Sequence, residues 1–202
     1  MVVFNASGAP QLKAAMDFYR GGKRQGCGET VNGVSCRVEV GAILAQEHHA
    51  WGDKWDDLQH QGRHGGWQVQ GAKAARSPLG RGTGGTCVAV RSHQGLATPP
   101  GSGFDCSPPG SEGRLAAAWV EGLFRGGVMV LSVYLWHSEG LSDRNLGILH
   151  AAGEAIARFG GPWLLAGDFN MTPEEFQGVQ EWLRRVGGQV VAPDVPTCRL
   201  VN

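Results

Sequence analysis

The sequence predicts a mixed α/β or α+β protein, a sandwich of sheets with helices outside. Three observations carry this. Several short apolar runs stop abruptly at polar residues, the pattern of buried strands bounded by turns. The turn Arg125-Gly126-Gly127 joins two such runs, residues 115–124 and 128–136, as an antiparallel hairpin. Residues 142–159 repeat apolar side chains at helical spacing, through Leu146, Leu149, Ala152, Ala155, Ile156 and Phe159.

Each element follows from its own residues. Residues 2–5 are a short apolar run closed by Asn5, and Ser7-Gly8-Ala9-Pro10 turns the chain into a helix over 11–20 with Leu12, Ala15, Met16 and Tyr19 on one face. Residues 21–37 are polar, glycine-rich and cationic, as a surface loop is. The run 38–45 is a second strand and ends in Gln46-Glu47-His48-His49. A helix over 51–58 places Trp51, Trp55 and Leu58 together. Residues 67–73 and 87–91, the latter opened by Gly84-Gly85-Thr86, read as antiparallel strands. The longest loop, 92–113, carries Pro99-Pro100-Gly101 and Pro108-Pro109-Gly110. After the hairpin and the 142–159 helix, which Gly160-Gly161-Pro162 stops, comes a strand over 163–170. Thr172 caps a helix with Pro173 at its first position, ending near Val186-Gly187-Gly188, and 189–192 is a last short strand.

One domain over residues 1–202 is expected, because a chain of this length holds one large core and not two comfortable ones. The formal net charge is zero, which removes the global basic field of many nucleic-acid binders. Locally the balance differs. No acid lies between Asp57 and Asp105, where Arg63, Lys73, Arg76, Arg81 and Arg91 sit with His60, His64 and His93. A phosphate-bearing partner or plain solvation accounts for them equally. Five scattered cysteines without a C-x-x-C pair point to free thiols in a reducing, intracellular compartment, the nucleus included; a Cys27–Cys36 bridge is the alternative. No stretch approaches the about 20 apolar residues that span a bilayer. A monomer without a membrane partner is expected.

The chemistry concentrates at strand ends. Trp163-Leu164-Leu165-Ala166-Gly167-Asp168-Phe169-Asn170 delivers a carboxylate and a carboxamide two residues apart, hence on one face of a strand, within reach of one phosphate or one hydrated metal ion. Asn5, Glu47, Tyr134 and His137 also close strands and could converge there. Glu47 is a hard oxygen ligand of the kind Mg²⁺ takes. Asp168 could position or deprotonate a water, and Tyr134 could donate to developing negative charge. Each has a plainer reading: a turn cap for Asp168, a turn residue for Asn5, a strand-core ring for Tyr134. His48-His49 invites zinc, but neighbours on a strand face opposite ways and no spaced partner completes four ligands. Residues 80–86 look like a phosphate loop without its Gly-Lys-Ser/Thr ending, and they run into a strand.

Asn5, Gln46-Glu47, Gly84-Gly85, Tyr134 and Gly167-Asp168-Phe169-Asn170 followed by Pro173 stand in the order found in the endonuclease/exonuclease/phosphatase superfamily. The chain resembles that superfamily along nearly its whole length and looks like its nuclease branch, which includes endonucleases of non-LTR retroelements. The resemblance implies a four-layer α/β-sandwich of two mixed sheets with outer helices. It implies Mg²⁺- or Mn²⁺-dependent hydrolysis of phosphodiester or phosphomonoester bonds in DNA, RNA or another phosphoester substrate. Glu47 would be the metal ligand, Asp168 and Asn170 would stand at the scissile phosphate, and Tyr134 and Asn5 would support them.

Members of that superfamily carry two further strands with an Asp and a terminal Asp-His pair. No histidine follows His150 here. The resemblance therefore implies a domain truncated at its C-terminus, lacking its final strands, with impaired hydrolysis. The competing expectation is a non-catalytic remnant that binds nucleic acid or a protein partner through its basic middle.

Overall fold

The computed structural model describes residues 1–20, 30–31, 34–35 and 40–191. In chain order they form β1 (Val2–Asn5), α1 (Ala9–Arg20), a ribbon of β2 (Thr30–Val31) and β3 (Val34–Ser35), and β4 (Ala42–Gln46). Then come α2 (Asp53–His64), β5 (Trp67–Ala72), the ribbon of β6 (Ala75–Arg76) and β7 (Gly82–Thr83), β8 (Thr86–Arg91) and β9 (Leu96–Ala97). The hairpin β10 (Leu115–Val120) and β11 (Val128–Tyr134) follows, then α3 (Asp143–Phe159), β12 (Trp163–Asp168), α4 (Pro173–Phe176) and α5 (Gln180–Val186).

Two four-stranded sheets result, in the orders β1-β4-β8-β5 and β12-β11-β10-β9. Each joins one parallel couple, β1 with β4 and β11 with β12, to antiparallel neighbours. Successive side chains on a strand point to opposite faces, and that alternation builds the layers. Ala42 and Leu44 of β4 with Val88 and Val90 of β8 meet Ala118, Val120, Val128 and Val130 of the second sheet. The residues between them, Ile43, Ala45, Cys87 and Ala89, turn outward under Leu12 and Met16 of α1 and Trp55 and Leu58 of α2. On the other side Leu115, Ala117, Met129, Leu131 and Val133 pack beneath Ile148, Ala152, Ala155 and Ile156 of α3. The order helix, sheet, sheet, helix is the four-layer α/β-sandwich.

Local signals explain the element ends. Ser142 Oγ accepts the Asn145 N–H at the start of α3, and Gly160 closes it in the left-handed region. Thr172 and Glu175 form a reciprocal capping box, Glu175 N–H to Thr172 Oγ1 at 3.2 Å and Thr172 N–H to Glu175 Oε2 at 2.7 Å.

Several boundaries differ from the sequence expectation. The helix expected over 51–58 begins at Asp53 and continues to His64, because its buried stripe of Trp55 and Leu58 extends to Gly62. Strand β10 leaves its partner at Val120 rather than 124, since Gly122 N–H turns to Gln94 O (2.7 Å). The single helix expected after Pro173 is broken by a 3₁₀ turn at Gln177–Val179, which brings Phe176 and Val179 together onto Leu149 of α3. Residues 189–191 form no strand, and Val191 is 86% exposed. The Cys27–Cys36 pairing and most of the 21–37 loop lie outside the described residues. Cys87 and Cys106 are free thiols. Among the described residues no helix is long and apolar enough to cross a membrane.

Candidate active site at the strand ends

The two parallel couples end together. Register pairs Asn5 of β1 with Gln46 of β4, and Tyr134 of β11 with Asp168 of β12. Along the inward faces the side chains change from apolar to polar in step: Leu44 then Gln46, and Val128, Val130, Ser132, Tyr134. The inter-sheet space is therefore a hydrocarbon core at depth and a polar mouth at this end. Its floor is a buried bond between the sheets, where Gln46 Nε2 donates to Ser132 Oγ at 2.9 Å and Ser132 Oγ donates to Ala45 O at 3.3 Å.

At the mouth the five residues singled out in the sequence come together. Asn5 Nδ2 donates to Asp168 Oδ2 at 3.1 Å, across the two sheets. The Tyr134 hydroxyl donates to Glu47 Oε1, also across the sheets. Asp168 Oδ1 accepts the Asn170 N–H at 3.1 Å. That last bond corrects one expectation. The strand ends at Asp168, and Asn170, at φ 50°, sits in an Asx turn rather than beside Asp168 on a strand face. Its side chain instead donates to Leu135 O at 2.9 Å, with its Oδ1 3.3 Å from His137 Nδ1.

Burial, then the hydrogen bond and charge of Glu47, push the Tyr134 phenol up to about 12, with Asp168 adding in the same direction. The phenol is thus a protonated donor that feels both carboxylates. Backbone strain gathers at the same end. Among the described residues the non-glycine positions with positive φ are Ser7, Glu47, His49, Ser138 and Asn170, each just beyond β1, β4, β11 or β12. Such conformations cost on the order of 1–3 kcal/mol each and persist where surrounding structure imposes them.

Arg114 belongs to this assembly and sequence reasoning passed over it. It is 7% exposed, with its guanidinium carbon 4.3 Å from the centroid of the Tyr134 ring and 3.4 Å from that of Trp136. Its Nη1 donates to both Tyr134 O and Leu135 O at 3.3 Å. The hairpin carries the signal that would have found it: the register set by the turn puts Arg114 opposite Tyr134, whose N–H bonds to Arg114 O.

Other candidates have structural employment. His48 is buried, with Nε2 3.2 Å from Ala72 O and Nδ1 accepting the Ala50 N–H at 3.1 Å, so both ring nitrogens are used inside the protein. Burial pulls its pKa down to about 4. The glycine run that resembled a phosphate loop packs on that ring: a Cβ on Gly85, at φ 93°, would lie 2.5 Å from His48 Cε1. The basic middle is dispersed. Arg91 is buried, 4.2 Å over Trp67, Arg76 stacks 4.8 Å over Trp51, and Lys73 lies 3.9 Å from Asp56.

The donor set at the mouth suits a hard cation. Among the described residues no three His, Cys, Asp or Glu side chains converge, but Mg²⁺ and Mn²⁺ take oxygen donors, and Mg²⁺ is held by one or two carboxylates while keeping several waters. Glu47 meets that requirement.

A profile of the Endonuclease/Exonuclease/phosphatase family matches residues 36–185. No curated protein matches the sequence. Among solved structures, the AP endonuclease LMAP from Leishmania major superposes with a TM-score of 0.58 at 14% identity, over 92% of this chain and 65% of that one. TDP2 of D. rerio, humanized by 14 mutations, gives 0.52 at 16% identity, over 89% of this chain and 69% of that one. ANGEL2, a 2',3'-cyclic phosphatase, gives 0.46 at 12% identity, over 65% of this chain and 40% of that one. The chain thus spans 40% to 69% of the length of these proteins, and the first two share its fold.

Proposed function

The chain belongs to the Endonuclease/Exonuclease/phosphatase family, and on that premise we propose that the mouth between its sheets is a divalent-metal-dependent phosphodiesterase site of the endonuclease kind. The observation that supports this most is the pair of bonds that cross the sheets there, Asn5 to Asp168 and Tyr134 to Glu47. They hold two carboxylates, a phenol and carboxamides around one opening, the combination that phosphoryl chemistry by positioning and charge stabilisation requires.

In this reading Glu47 holds Mg²⁺ or Mn²⁺, which when bound would neutralise phosphate charge. Asp168, oriented by Asn5 and by the Asn170 N–H, takes the proton of an attacking water. Tyr134 donates to the oxygen on which charge develops, and its raised pKa keeps that proton in place near neutrality. Asn170 lines the phosphate position, with His137 beside it. Nucleic acid is the proposed substrate. The binding-remnant reading loses support from the dispersal of its basic residues, Arg91 above all.

The test is cleavage of plasmid and abasic-site duplex DNA by the 202-residue chain in Mg²⁺ or Mn²⁺. Metal-dependent cleavage that Asp168→Ala abolishes is expected. Equal products from wild type and Asp168→Ala would remove the reading.

A further inference from the structure

Helix α2 carries a pair of exposed histidines at the end of the molecule opposite that mouth. Strand register sets that distance. Gln46 pairs with Thr86 and Thr86 with Ala72, whereas the opposite end of the same ladder joins Arg91 to Trp67, the residue that follows the end of α2 by three positions. His60 and His64 lie in the last turns of α2, four residues apart and so on one face. Both are solvent-facing, and their Nε2 atoms stand 3.0 Å apart, with ring centroids at 4.4 Å and planes at 75°.

That separation is the one a chelate needs. Imidazole nitrogens bind Zn²⁺ at about 2.0–2.1 Å, and two such bonds meeting at roughly 90–110° put the donor atoms about 3 Å apart. Without an ion, one Nε2–H donates to the other Nε2; with an ion between them, both lone pairs are used. The helix fixes the spacing of the two Cβ atoms, so only the side-chain torsions have to settle on binding.

We propose that His60 and His64 form a two-histidine chelate for a borderline divalent cation, Zn²⁺, Cu²⁺ or Ni²⁺. Imidazole donors suit these ions and not Mg²⁺, which separates this site chemically from the carboxylate mouth. Among the described residues no third His, Cys, Asp or Glu joins them, so water completes the coordination and one face of the ion stays open. An open face of that kind can take a further imidazole or thiolate from a partner molecule. Copper should bind most tightly and zinc and nickel less so.

Isothermal titration with Zn²⁺ and then Cu²⁺, with Mg²⁺ present in excess, tests the proposal on the whole chain. One saturable site is expected, weakened at least 10-fold in His60→Ala and in His64→Ala and absent in the double variant. The cation should raise the melting temperature of wild type and leave that of the double variant unmoved, because a ligand stabilises only the state that binds it. Both side chains are exposed, so the variants keep the fold, which far-ultraviolet circular dichroism checks. Binding of equal strength in wild type and the double variant would overturn the proposal. So would an affinity order in which Mg²⁺ competes as well as Zn²⁺.

Discussion

The Tyr134 hydroxyl, on the second sheet, donates its hydrogen bond to the Glu47 carboxylate, which stands just beyond β4 of the first. The bond spans the opening between the sheets at the point where the core has turned polar. Behind the ring, Arg114 holds the backbone of Tyr134 and Leu135 and stacks on the aromatic face, so the phenol is fixed from both ends.

Tyr134→Phe removes the hydroxyl and leaves the ring on Arg114. A lost transition-state donor lowers kcat by about 10²–10³, and here the melting temperature should change little. Steady-state cleavage kinetics beside a thermal melt make the check. An unchanged kcat would show that the phenol does not face the reacting phosphate.

Gln46→Leu should destabilise the fold, because it leaves Ser132 Oγ buried without its donor. Ser132 Oγ keeps its own bond to Ala45 O, so the loss is that of one buried hydrogen bond, about 0.5–1.5 kcal/mol. The double variant Gln46→Leu, Ser132→Ala should recover part of that loss, since neither partner is then left unpaired. Urea unfolding of the three proteins reads the coupling directly; simple additivity would mean that the bond does not join the sheets.

The strands that carry the site and their polar ends were legible in the sequence because each is a local pattern: an apolar run, then Asn5, Gln46-Glu47, Tyr134 or Asp168; which of them pair in parallel was not. What the sequence left open are consequences of pairing. Whether Asn5 meets Asp168 depends on two sheets closing over one core, which no window of residues encodes. Arg114 was missed for the same reason, since an arginine opening a strand reads as solvated until the register puts Tyr134 opposite it. Asn170 was misplaced by one turn, because period-2 reasoning holds only while the strand lasts and β12 stops at Asp168. The basic middle was left open between a partner and solvation for a related reason: charge along the chain is not charge on a surface, and Arg91 is spent on Trp67 and the backbone of Val40.

Gly167→Ala should be among the most damaging single changes. A Cβ there would stand 1.9 Å from the carbonyl oxygen of Val133, the cross-strand neighbour in β11. The obstacle is backbone in the middle of a sheet, which cannot swing aside as a side chain tip can. Overpacking usually costs about 1–3 kcal/mol, and this position should lie at or above that range, separating the strands that carry Tyr134 and Asp168. Unfolding at the wild-type urea midpoint would contradict this spacing of β11 and β12.

His48 gives the fold a pH dependence whose sign follows from its burial. Its pKa falls from an ordinary 6.5 to about 4 in the folded state, burial being the main cause and the neighbouring His49 a smaller one, while the hydrogen bonds to Ala72 and Thr86 act the other way. Between those values the unfolded chain binds a proton that the folded one refuses. The stabilisation is therefore whole above 6.5 and is lost as pH falls toward 4, by roughly 3 kcal/mol in total. Unfolding free energies measured by urea across that interval should decline steeply for wild type. His48→Asn keeps an acceptor for the Ala50 N–H and has no ring to protonate, so its stability, lower at neutral pH, should change much less over the same interval. Parallel curves for the two proteins would place the acid sensitivity of the fold on other groups.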